Sequence, residues 1–237
     1  MPATGSVTVS VDVRNNGARA GDEVVQLYTH QRTSRDKQPL KALRTYQRVN
    51  LLPHQTTTVR LTLPAKDLAH WDVTRSKWVV ESSDYDVMVG SSASDVRARG
   101  LLAVRGETIP ARDLSKATRA ESFDAYSGVK LTDESKARGT AVDSVGVGNW
   151  IKFADAQLGR RANTFIASAA KADSGDGAIQ VRLDSPTGPL VGTANVTATG
   201  SVYTYASTSA SIRGASGRHD VYLVFGSGMR LATFSLN

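Results

Sequence analysis

The chain has no cysteine among its 237 residues. That excludes a disulfide framework, a thiolate nucleophile and a cysteine-ligated metal site. It does not fix the compartment, because many secreted bacterial chains also lack cysteine. No stretch approaches the roughly 18 apolar residues of a membrane span, so no membrane partner is expected. Met1 to Val9 carries neither Lys nor Arg and has no apolar core, so no signal peptide is expected there. Either the protein stays inside the cell, or this is a piece of a longer secreted chain. Histidine is sparse, and His30, His54, His70 and His219 show no metal-ligand spacing. Serine is plentiful, yet Gly-x-Ser-x-Gly does not occur. No long helical periodicity appears, and the two halves share no internal repeat.

What is present fits a globular chain of one large or two ordinary domains, 40% hydrophobic and 22% charged. The net charge is +7. Its densest basic stretch holds Arg32, Arg35, Lys37, Lys41, Arg44 and Arg48 against Asp36. Such a run can meet phosphate, but more often it is a solvated loop. No helix-turn-helix pattern or aromatic-interleaved basic strand accompanies it, so no nucleic-acid partner is expected.

Alternation supplies the fold. Val7, Val9, Val11 and Val13 alternate with polar residues, and Asn15-Asn16-Gly17 then turns the chain. Strands are expected at Glu23–Tyr28, Tyr46–Leu51, Thr57–Leu63, around Trp71, Lys77–Val80, Asp84–Val89 and Val96–Val104. Short strands at this spacing predict a β-sandwich. Residues 107–113 break the pattern and read as a linker. Beyond it, strands are expected at Trp150–Phe153, Thr164–Ala169, Ala178–Leu183, Gly192–Thr197, Val202–Ser207, His219–Phe225 and Arg230–Leu236. The expected fold class is all-β, with two β-sandwich domains in tandem over 1–106 and 114–237.

One stretch carries chemistry. In Val145-Gly-Val-Gly-Asn-Trp150-Ile-Lys-Phe153, alternation turns Ile151 and Phe153 one way and Trp150 and Lys152 the other. A flat ring beside a cation on the polar face is a platform for a sugar. The plain alternative is a tryptophan packed under a loop. Asp84 and Asp86 lie two apart on one strand and so share a face. Retaining glycosidases need carboxylates about 5–5.5 Å apart across a cleft, and a same-strand pair reads instead as a solvated strand face.

The first half resembles the fibronectin type III-like domain that closes family 3 glycoside hydrolases. The motifs are Val11-Asp-Val-Arg-Asn-Asn-Gly-Ala-Arg-Ala-Gly21-Asp-Glu-Val-Val-Gln-Leu-Tyr28, Pro39-Leu-Lys-Ala-Leu-Arg-Thr-Tyr46, Asp67-Leu-Ala-His-Trp-Asp72, Lys77-Trp-Val-Val-Glu81 and Tyr85-Asp-Val-Met-Val-Gly-Ser-Ser92. They run in order over about residues 5–104. His54 stands where a glycine is usual, and Ser82-Ser83 where Pro-Gly is usual. Both changes fall in turns and should cost stability, not change the fold. The resemblance implies a non-catalytic domain, whose catalytic carboxylates would lie in other domains of a β-glucosidase-type enzyme. No catalytic activity is therefore expected of these residues themselves.

The second half resembles a family 6 carbohydrate-binding module, a jelly-roll β-sandwich. The pieces are Arg119-Ala-Glu121-Ser-Phe, Tyr126-Ser-Gly128-Val, Gly148-Asn-Trp150-Ile-Lys-Phe153, Ile179-Gln-Val-Arg-Leu-Asp-Ser-Pro-Thr-Gly188, Thr199-Gly200 and Val221-Tyr-Leu-Val-Phe225. The resemblance implies two sugar sites. The edge site's two aromatics and asparagine map to Ser144, Val202 and Arg230, so that site is expected to be lost or greatly weakened. Tyr203 sits one position along, and strand alternation would turn it away. The site on the sheet face keeps its tryptophan as Trp150, while its acidic partner maps to Gln180. Gln180 and Arg182 share the polar face, so the implied carbohydrate-binding residues are Trp150, Gln180, Lys152 and Arg182. An amide still donates and accepts, but lacks the charge-assisted bond of a carboxylate. A structural calcium is also implied. Glu121 is kept among its ligands, whereas Arg119 and Ala232 stand where carboxylates are usual. The implied role is to hold a glycoside hydrolase near plant or microbial polysaccharide outside the cell. The alternative is a structural module with decayed sugar sites, packed on a catalytic domain or partner chain.

Overall fold

The computed structural model describes residues 1–159 and 162–237. Two compact units form, Met1–Ile109 and Pro110–Asn237. Each is a β-sandwich.

The first unit runs β1 (Ser6–Arg14), β2 (Gly21–Gln31), β3 (Ala42–Leu51), β4 (Thr56–Pro64), a 3-10 turn at Ala65–Leu68, β5 (His70–Asp72), β6 (Lys77–Val79), β7 (Ser83–Gly90) and β8 (Val96–Val104). β1 pairs with β4, and the facing sheet has the order β3-β2-β7-β8. The pleat explains the core. Val59, Leu61 and Leu63 of β4 are buried at every second position, against Val25 and Leu27 of β2 and Tyr85, Val87 and Val89 of β7. The valines of β1 are half-buried and pack on the same cluster.

The basic stretch of this unit is not a bare patch. Arg32 pairs with Asp86 at 2.6 Å, and Arg48 pairs with Asp22. Arg44 donates to the Asp67 carbonyl at 2.6 Å, and Arg35 is buried between Asp36 and Asp72. His54 adopts φ 61, the left-handed region that favours glycine. β5 and β6 form a hairpin that presents Trp71 and Trp78 side by side to solvent, edge to face at 5.8 Å.

The second unit runs β9 (Thr118–Arg119), a 3-10 turn at Ala120–Ser122, β10 (Ala125–Ser127), β11 (Val129–Asp133), β12 (Thr140–Ser144), β13 (Trp150–Leu158), β14 (Thr164–Ala170), β15 (Gly177–Leu183), β16 (Leu190–Val196), β17 (Ala206–Ser211), β18 (Gly217–Phe225) and β19 (Met229–Leu236). One sheet has the order β10-β13-β18-β15-β16; the other has β11-β12-β19-β14-β17, with β9 beside β19. Ile151, Phe153, Ile179, Val181, Leu223 and Phe225 of the first sheet meet Phe165, Leu231 and Phe234 of the second. Phe153 and Phe234 stack edge to face across the core, 4.6 Å between centroids.

Two details depart from the sequence reading. β9 to β12 fall where no strand was expected. They are short, and Ala141 and Val142 of β12 are both buried, so alternation is blurred. The strand expected at Val202–Ser207 begins only at Ala206. Val202 and Tyr203 lie in the turn before it, so strand alternation does not govern where Tyr203 points. Its side chain is exposed.

Candidate carbohydrate-binding site

The site is a row of side chains on the outer face of the first sheet of the second unit. β13 is anchored just before it starts. Gly148 turns the chain at φ 80. Asn149 donates to the Gly128 carbonyl at 2.7 Å, and its own carbonyl accepts from Phe225 N at 2.8 Å. Trp150 is therefore the first residue of a strand held on both sides. Gly128 has φ 71, and a Cβ there would sit 2.0 Å from the Asn149 amide oxygen, so only glycine lets this anchor form.

Register then lines up the face. Ser127, Trp150, Val224, Gln180 and Thr193 stand opposite one another across five strands. Ala125, Lys152, Tyr222, Arg182 and Leu190 form the next row. The structure thus brings Trp150, Lys152, Gln180 and Arg182 onto one face. Trp150 and Gln180 are two strand spacings apart, about 9–10 Å.

Gln180, Arg182 and Lys152 are each held by a neighbour. Arg182 Nε donates to Gln180 Oε1 at 2.9 Å, and Nη1 donates to the Gly188 carbonyl at 2.8 Å. The amide oxygen of Gln180 thereby already has a donor, and its NH2 is what remains toward a ligand. Lys152 Nζ donates to Asp220 Oδ2 at 3.0 Å. Burial pulls the Lys152 ammonium down, but the bond to Asp220 and its charge outweigh this and hold it above the ordinary lysine range. Asp220 also accepts from Asp155 N at 2.9 Å. That bond fixes the bulge between Phe153 and Ala156, where Asp155 takes φ 56.

Sequence reasoning passed over Tyr222 and Asp220. Tyr222 is 8% exposed, and its ring meets Trp150 at 5.2 Å and 62°. It props the indole from the neighbouring strand. The signal was available: in Val221-Tyr-Leu-Val-Phe225, alternation puts Tyr222 on the face opposite the apolar positions.

The edge positions look different. Ser144 is buried and donates to the Gly146 carbonyl at 3.1 Å. The Arg230 guanidinium lies 5.0 Å from the Tyr203 ring centroid, and Arg230 Nε is 3.6 Å from Asp143. Ser144 and Val202 offer no stacking surface, and Tyr203 already carries a cation against its ring.

The sequence pattern of "Carbohydrate binding module (family 6)" matches residues 119–237. The chain belongs to that family. A "Fibronectin type III-like domain" precedes the module, matched over residues 23–93, and neither pattern describes a catalytic domain. Among solved structures, a family 6 module from Clostridium cellulolyticum in complex with xylose is 34% identical, with a TM-score of 0.50. It covers 53% of this chain and 99% of its own. A family 6 module from Clostridium stercorarium in complex with cellobiose is 29% identical, with a TM-score of 0.50, covering 54% of this chain and 96% of its own. The first domain is similar to "Probable beta-glucosidase L" of Aspergillus fumigatus, 47% identical over 97 residues. That match takes in 41% of this chain and spans 13% of the relative's length.

A calcium in this module would draw on Glu121. The residues around it do not make a cage for a hard cation. The Arg119 guanidinium already lies among the oxygens of Glu121, Glu134 and Thr140, and the buried Ala232 brings no side-chain oxygen. Among the described residues no group of three or more His, Cys, Asp or Glu is placed to hold a metal.

Proposed function

We propose that this chain binds polysaccharide through the face carrying Trp150 and tethers a glycoside hydrolase to its substrate. One observation carries the reading. Trp150, Lys152, Gln180 and Arg182 stand in two adjacent rows of one solvent-facing sheet face, and Tyr222 holds the indole in place. An aromatic platform beside fixed polar groups is how a flat binding face takes a sugar ring. Xylose- and cellobiose-bound relatives support this ligand class. Of the charged and amide groups here, Gln180 and Arg182 are tied to each other and Lys152 to Asp220, so the affinity expected is weak. An extracellular setting follows from this role. Isothermal titration of the full chain with xylan, laminarin and cello-oligosaccharides tests it: heat of binding with at least one is expected, and none at millimolar sugar would remove the reading.

A second reading rests on the first unit. Trp71 and Trp78 are 45% and 67% exposed on one hairpin, a hydrophobic surface of the kind that marks protein interfaces. In this reading the chain packs on a catalytic domain. Co-elution with a family 3 catalytic domain, lost in Trp78→Ala, would favour it.

A further inference from the structure

The geometry points to Arg119 as a built-in substitute for a structural metal ion in the second unit. Its guanidinium lies where oxygen donors from separate segments converge. Nη1 donates to Glu134 Oε2 at 2.7 Å, and Nη2 donates to the Thr140 carbonyl. Nε stands 3.6 Å from Glu121 Oε1. Arg119 itself sits on β9, opposite Thr233 of β19. Glu121 belongs to the following 3-10 turn, Glu134 follows β11, and Thr140 opens β12. This residue therefore ties the opening of the unit to its last strand through its backbone, and to the connection between β11 and β12 through its side chain. A structural cation does the same work.

The chemistry favours the arginine over an ion. A guanidinium is always charged and offers five donors in a planar fork, so it spans carboxylates and a carbonyl at once. Calcium asks for six to eight oxygens at about 2.3–2.6 Å. Here Glu134 Oε2 and the Thr140 carbonyl are already engaged by the guanidinium, and a divalent cation beside it would be repelled at a few ångströms. The backbone leaves room for the arginine: a Cβ on Gly139 would lie 3.0 Å from Nη2. Glu121 Oε2 is buried and has no hydrogen-bond partner among the described residues. It is the oxygen that the fork does not reach.

Melting and metal analysis of the full chain test this. The wild type is expected to melt at the same temperature in EDTA and in millimolar calcium, and to carry no calcium after dialysis. Calcium that survives dialysis in a one-to-one ratio, or a melting temperature that rises with calcium, would overturn the proposal. Arg119→Met should melt roughly 10 °C lower in both buffers. Arg119→Glu supplies a third carboxylate in place of the fork. It should be destabilised in EDTA and recover in calcium; no recovery in a folded Arg119→Glu would show that this is not a cation's place. The wild-type comparison decides the matter even if both variants fail to fold.

Discussion

Asp72 is fully buried in the first unit, and its loss should be measurable and pH-dependent. Its Oδ1 accepts from Arg35 Nη2 at 3.0 Å and from Thr74 N at 3.0 Å, while Oδ2 accepts from Arg75 Nε. Arg35 is itself only 4% exposed. Burial pushes the Asp72 carboxyl up, but the bonds from Arg75 and Arg35 prevail and bring it down to about 2 from 3.8. A shift of that size corresponds to about 2 kcal/mol of stability at neutral pH. The sign follows from the lowered value. The stabilisation is complete above the unfolded carboxyl's range, near 4, and is lost as pH falls through about 2. Asp72→Asn keeps the shape and one acceptor but removes the charge. It should destabilise the first unit by about 2–3 kcal/mol at pH 7, with the gap to wild type closing between about pH 4 and pH 2. Hydrogen exchange at Leu27 and Val79, read by mass spectrometry across this range, reports on that unit alone. A gap below about 0.5 kcal/mol, or one that does not change with pH, would refute the reasoning.

Three further outcomes follow. His54→Gly should stabilise the first unit by about 1 kcal/mol, since φ 61 strains any side chain; a urea melt that moves the other way counts against it. Gly128→Ala should cost about 1–3 kcal/mol, because its Cβ meets the Asn149 amide and its φ is positive, and calorimetry of the full chain reads this directly. Gln180→Glu should raise glycan affinity about two- to ten-fold by giving sugar hydroxyls a charged acceptor; titration showing no gain would mean that Arg182 takes up the new charge.

The expected pair of β-sandwiches is what forms, and the parts legible in sequence are those with clean alternation. Val7 to Val13, Thr57 to Leu63 and Trp150 to Phe153 all show which side faces the core. Alternation carries no information about Tyr203, which lies in a turn. The buried pair of Arg35 and Asp72 had no local signal, since the two lie 37 residues apart. The meeting of Arg119 with Glu134 and Thr140 was hidden for the same reason. Register likewise decides that Gln180 lies in the row of Trp150 with one strand between them, and no single segment carries that information.

Trp150 is the proposed sugar platform. Titration of the glycan bound best by the wild type into Trp150→Ala and Val202→Ala tests it most directly. Binding is expected to fall at least about 30-fold in Trp150→Ala, the effect of losing a dominant aromatic contact, and to be unchanged in Val202→Ala. Undiminished binding by a folded Trp150→Ala would contradict the account.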